Sequence, residues 1–157
     1  MSVDVKEISW QEWAVGGGAA LLAIDLLVLP WWSVGFGYFS VSETGLGAPD
    51  GFLGILAFLG AVGLAGYVVI ARFTSVKLPE LAIPWSRVVL IAALCVAALV
   101  GLKFVLHPHI SYLSIGAWLA LALGAIVIVG SIASTTSSAP TTSSTVPPSS
   151  EQASEGS

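Results

Sequence analysis

The chain has little of what a water-soluble protein is built from. Only 9% of its 157 residues are charged, against about 25% in an ordinary soluble domain, so no normal water-facing surface can be assembled from it. Five Lys and Arg, scattered singly, stand against nine Asp and Glu; without a basic cluster, a nucleic-acid-binding face is excluded. A single cysteine, Cys95, excludes an intramolecular disulfide and a cysteine-based zinc site, and no cysteine stands near the N-terminus to carry a lipid. Missing too are a phosphate-cradling glycine loop with its lysine, a nucleophile elbow and an HExxH helix. The expectation is a non-enzymatic protein that uses no cofactor.

What the chain does have is apolar: 56% of residues are hydrophobic and the mean hydropathy is +0.95. Four runs, roughly 14–29, 52–70, 88–106 and 113–132, each come near the ~20 residues a helix needs to cross ~30 Å of hydrocarbon. They predict an all-α membrane protein, a four-transmembrane-helix bundle within residues 1–132, with a short extracytoplasmic loop cap and a disordered tail over 133–157. The first run is short and contains Asp25. A signal peptide would bring a basic leader and a small-residue cleavage site, whereas here the leader is slightly acidic and the run ends in Pro30-Trp31-Trp32. Trp10 and Trp13 on one side, and Trp31 and Trp32 on the other, are placed as aromatic belts are at the two headgroup layers.

Orientation follows from the short connections. Arg72, Lys77 and Arg87 lie between the second and third runs, while residues 30–51 hold no Lys or Arg and carry Glu43 and Asp50. The positive-inside rule makes the former loop cytoplasmic, and four crossings put both termini there too. The outer loop predicts a short strand over Val34–Val41, closed by the Gly, Pro and Asp residues of 45–51. Its aromatics, Trp31, Trp32, Phe36, Tyr38 and Phe39, are candidates for contact with a partner protein, a role shared with anchoring to headgroups. Pro79 and Pro84 forbid a continuous helix through the inner loop. In the segment 134–150, twelve residues are Ser or Thr and three are Pro; such a segment buries nothing. In the cytoplasm it reads as a tether; outside it would read as a glycosylated stalk.

Lipid tails are as apolar as leucine, so helices in a bilayer associate through close packing and buried polar contacts. Small residues recur every four positions at Ala57, Ala61 and Ala65, at Ala93, Ala97 and Gly101, and at Gly116, Ala120 and Gly124. These stripes suit packing within one bundle, or a dimer face. An acid in hydrocarbon costs about 2.5–3.5 kcal/mol, so Asp25 needs compensation. Lys103 matches it in depth: each lies five residues before a proline, Pro30 or Pro108. The expectation is an intramembrane polar pair, Asp25 with Lys103, ionic or bridged by water. The alternatives are Lys103 snorkelling to the headgroups and Asp25 neutral or bonded to a hydroxyl. His107 and His109, flanking Pro108, are candidates for metal ligation or pH sensing, against the ordinary role of solvated histidines at a headgroup boundary.

The Leu29-Pro30-Trp31-Trp32-Ser33 sequence after the first run, and Gly116-Ala117-Trp118-Leu119-Ala120-Leu121-Ala122-Leu123-Gly124 in the last, together resemble a broad group of small four-span membrane proteins of high-GC Gram-positive bacteria. The resemblance covers roughly residues 10–132. It implies a plasma-membrane location and a four-helix architecture, and brings no catalytic or binding residue. Claudin-type junction proteins share the general layout, but their outer loop depends on a cysteine pair that this chain lacks. The functional expectation is an accessory or scaffold component in the lipid bilayer that binds a membrane or envelope protein, or a second copy of itself. The rival is a small transporter, channel or proton-linked sensor with Asp25 as its titrating group.

Overall fold

A computed structural model describes residues 8–47, 50–74, 82–106 and 113–137. It is mostly helical, with four helices long and apolar enough to cross a membrane: α1 (Trp10–Val28), α2 (Gly51–Phe73), α3 (Trp85–Leu106) and α4 (Ile115–Ser137). At 1.5 Å per residue they are about 28–35 Å long. α1 is composite, with a π-helical turn at Trp13–Gly17 leading into regular α-helix at Gly18–Val28. It begins four residues before the expected run, so Trp10 and Trp13 lie on the helix itself. α4 continues five residues beyond its expected end at 132. The hydroxyls of Ser134, Thr135, Thr136 and Ser137 donate to main-chain carbonyls three or four residues earlier, which lets polar residues extend a helix into the region expected to be unstructured. The rest of the Ser/Thr/Pro tail, from 138 on, lies outside the described residues.

Each helix packs on the next, and α1 closes the ring against α4. One end of the bundle gathers the end of α1, the start of α2, the end of α3 and the start of α4. At the other end Gln11 of α1 donates to Ser137 of α4 at 2.9 Å, Arg72 of α2 is bonded to Glu12 of α1, and Tyr67 of α2 stacks on Trp85 of α3. The helices therefore run up, down, up and down, and the two ends of the bundle's chain meet on one side.

The buried stripes explain the packing. They follow spacings of four and three: Val15, Ala19, Leu22 and Leu26 in α1; Gly54, Ala57, Ala61 and Leu64 in α2; Val89, Ala93, Val96, Val100 and Lys103 in α3; Gly116, Ala120, Leu123, Val127 and Gly130 in α4. That repeat averages 3.5 residues and keeps a seam turned towards neighbouring helices. Of the small residues expected at the packing faces, Ala57, Ala61, Ala93, Gly116, Ala120 and Gly124 are buried, and Ala65, Ala97 and Gly101 partly so. The outward faces carry large apolar side chains, among them Ile24, Leu59, Ile91 and Val129. Cys95 also faces outward.

Between α1 and α2 the chain forms not one strand but an antiparallel hairpin, β1 (Pro30–Phe36) and β2 (Phe39–Thr44). The loop is Gly37-Tyr38, with Gly37 at φ +59°, the sign that a two-residue hairpin turn of type II′ demands at its first central position. Tyr38 in the turn and Phe39 at the start of β2 are exposed.

Candidate functional site

Only three polar or charged residues are buried among those described: Asp25, Lys103 and Ser131. Ser131 donates back to the carbonyl of Val127 at 2.8 Å, an ordinary way for a hydroxyl to be satisfied inside a helix. Asp25 and Lys103 lie at the opposite end of the bundle, each 1% exposed, at the root of the hairpin.

The sequence dictates this placement. Lys103 continues the stripe Val89, Ala93, Val96, Val100, so its helix aims it inward. It does not snorkel to the surface. Asp25, three residues after Leu22 and next to Leu26, shares the inward face of α1. Trp31 completes the group: the β1–β2 ladder changes register between Pro30 and Trp32, and an irregularity of this kind re-aims the residue at it. The Trp31 side chain is 1% exposed, and its carbonyl accepts from the Ser114 amide at 2.9 Å, tying the hairpin to the start of α4.

The expected Asp25–Lys103 pair is not a direct ion pair. Trp31 stands between them. Its indole Nε1–H donates to Asp25 Oδ2 at 3.2 Å, while Lys103 Nζ lies 5.5 Å from the centre of its ring, within reach of a cation–π attraction. Lys103 Nζ donates instead to the carbonyl oxygens of Gly45 and, at 3.2 Å, Gly47, and Asp50 acts on it electrostatically. Equal depth did place the two charges at one level, but the residue order put an indole on one and a loop's carbonyls on the other. Asp25 Oδ1 is buried without a hydrogen-bond partner.

The loop after β2 is thereby held from above and below. Lys103 takes its carbonyls, and Gly54 of α2 packs directly beneath the Gly45 carbonyl, where a Cβ would collide with main-chain atoms. What this group can do chemically is fix the hairpin's root rigidly to all four helices.

Of the aromatics expected to face a partner, Trp31 is therefore removed to the interior, and Trp32 is half-buried against the core. Tyr38 and Phe39 are fully available, and the side chain of Phe36 lies outside what is described. His107 and His109 are also outside the described residues. At the opposite end the sequence reading passed over Glu12, which accepts from the Ser9 amide at 3.1 Å and forms an ion pair with Arg72. The Ser-x-x-Glu spacing at Ser9–Glu12 is a helix-start signature that was there to be read.

Comparison with protein families, curated proteins and solved structures finds no match. The site must be interpreted from its own chemistry.

Proposed function

We propose that the chain is a multi-pass protein of the plasma membrane, with cytoplasmic termini, that acts without catalysis as an accessory or scaffold component, presenting its hairpin outside the cell to another membrane or envelope protein. One observation carries this reading. The costly buried groups, Asp25 and Lys103, are spent on seating the hairpin, while the hairpin's own tip, Tyr38 and Phe39, is bare. Aromatic side chains on a rigid support are effective anchors for protein contacts, because little ordering entropy remains to be lost on binding. The outward apolar faces and inward small residues of the helices support residence in lipid.

The test is extraction in native lipid followed by mass spectrometry of co-purifying proteins. The reading expects a stoichiometric partner that is lost when Tyr38→Ser and Phe39→Ser are combined and retained when the lipid-facing Ile91→Ala is made. Recovery of the chain alone, or of a partner indifferent to the hairpin tip, would refute it.

A second reading, a proton-linked sensor with Asp25 as the titrating group, is favoured by the buried Asp25 Oδ1 that lacks a partner. It expects a pH-dependent change in amide exchange at the hairpin root that disappears in Asp25→Asn. A transporter or channel gains less support: between Asp25 and Lys103 at one end and Ser131 at the other, the described core is built of Ala, Val, Leu and Gly.

A further inference from the structure

The hairpin leaves one of its two sheet edges open. Around its two-residue turn Phe36 and Phe39 exchange main-chain hydrogen bonds, and so does every second pair behind them, Val34 with Val41 and Trp32 with Glu43. The main-chain groups of the residues in between point outward. On β1 the root of that outer edge is taken: the Trp31 carbonyl accepts from the Ser114 amide, and Trp32 is bridged to Leu113. On β2 the outward residues are Ser40, Ser42 and Thr44. The Gly47 amide donates to the Thr44 carbonyl at 3.0 Å, which closes the root of this edge too. The N–H and C=O groups of Ser40 and Ser42 remain. Among the described residues nothing pairs with them, and residues 39–43 are all exposed.

Exposed edges are ordinarily blunted by Lys, Pro or a bulge, because a free row of N–H and C=O groups is a template for pairing with another chain. β1 has Pro30 and the register change beside it. β2 has neither Lys nor Pro, and its ladder is regular from Phe39 to Glu43. The edge is also held in place, since Trp31, Lys103 and Gly54 fix both feet of the hairpin, so little ordering entropy is lost when a strand is added. Charge selects the occupant. Side chains alternate along a strand, so Phe39, Val41 and Glu43 share one face of β2 and Ser40 and Ser42 the other. Glu43 is exposed and has no ion-pair partner among the described residues. A second copy paired through the same strand would bring it no cation, because residues 30–51 contain no Lys or Arg, and lipid tails offer nothing to a row of amides. What fits is an extended peptide whose alternate side chains meet Glu43, Val41 and Phe39; laid antiparallel, it reads basic-x-apolar-x-apolar.

We propose that the outer edge of β2 is a strand-addition site for a basic-x-apolar-x-apolar segment of an extracytoplasmic protein. This rests on the function proposed above and gives its partner contact a chemistry: main-chain bonds to Ser40 and Ser42 supply affinity, and Phe39, Val41 and Glu43 supply selection. The probe is the capped peptide Thr-Lys-Thr-Val-Thr-Val-Thr, added to the full chain in phospholipid nanodiscs with empty nanodiscs subtracted. Saturable binding is expected, with slower amide exchange at Ser40 and Ser42. N-methylation of the two threonines between Lys and the second Val removes the bonding N–H groups and weakens binding by about tenfold or more. Ser42→Pro deletes an outward N–H that the hairpin does not use, a place where proline is tolerated; the inward amides of Phe39 and Val41 keep their protection while the peptide is lost. Glu43→Lys reverses the preference towards a peptide with Glu in place of Lys. Peptide held no better than by empty nanodiscs, or held equally well when N-methylated or by Ser42→Pro, would overturn the assignment. So would slow exchange at both serine amides before peptide is added, which gives the edge to the bilayer or, if Ser42→Pro also halves the number of chains per nanodisc, to a second copy. The two readings fail separately. A native partner lost with Tyr38→Ser and Phe39→Ser but kept by Ser42→Pro contradicts strand addition alone, whereas a chain recovered without any partner that still binds the peptide contradicts the proposed function alone.

Discussion

Trp31 is the side chain on which the root of the hairpin depends, because it satisfies a buried carboxylate with its edge and lies beside a buried ammonium. Replacing it with phenylalanine keeps a ring in place but removes the N–H, leaving Asp25 Oδ2 without a donor. Stranding a buried polar group costs about 1–3 kcal/mol, so Trp31→Phe lowers stability by that amount in reversible detergent or urea unfolding. Adding Asp25→Leu removes the stranded group and recovers part of the loss; an unchanged midpoint in the single variant, or a further drop in the double, contradicts the contact. Lys103→Met keeps the buried stem and deletes the ammonium. Hydrogen bonds to a charged group contribute about 1.5–3 kcal/mol, and the loss is expected to appear first as faster amide exchange at residues 45–47.

At the level of elements, the tightest junction is that of α2 with the loop after β2. A methyl group at Gly54 meets the Gly45 carbonyl, and overpacking of this kind costs about 1–3 kcal/mol. At Gly63, on the same helix, an added Cβ meets nothing within 4 Å. Gly54→Ala is therefore expected to destabilise and Gly63→Ala to be neutral or mildly stabilising, as read by thermal unfolding of both in one detergent; equal effects would refute the close approach. The four helices were legible in the sequence because runs of apolar residues near membrane thickness have few other uses. The inward aim of Lys103 was equally legible, since it stands in the 89, 93, 96, 100 series, although the snorkelling habit of lysine argues the other way. The hairpin was not, because a Gly-Tyr loop among alternating small and aromatic residues reads as one strand until pairing is seen. Nor was the burial of Trp31, which depends on a local register change rather than on any periodicity. The C-terminal turn of α4 was missed because Ser and Thr favour non-helical backbone unless their hydroxyls bond back into the helix.

For the whole molecule, the arrangement is a ring of four helices with small side chains within, large apolar ones without, and polar ties at both ends. Gln11 with Ser137 and Glu12 with Arg72 close one end; Trp31, Lys103 and Ser114 close the other. The central claim of the proposed function is that the four helices are spans, with Ser9 and Ser137 on the side of Arg72 and the hairpin on the far side. The most direct measurement is labelling of single cysteines in a Cys95→Ser background with a membrane-impermeant maleimide, before and after permeabilising intact cells. Tyr38→Cys is expected to react in intact cells, and Ser9→Cys and Ser137→Cys only after permeabilisation. Labelling of residues 9 and 137 from opposite sides, or of either together with residue 38, would contradict the account.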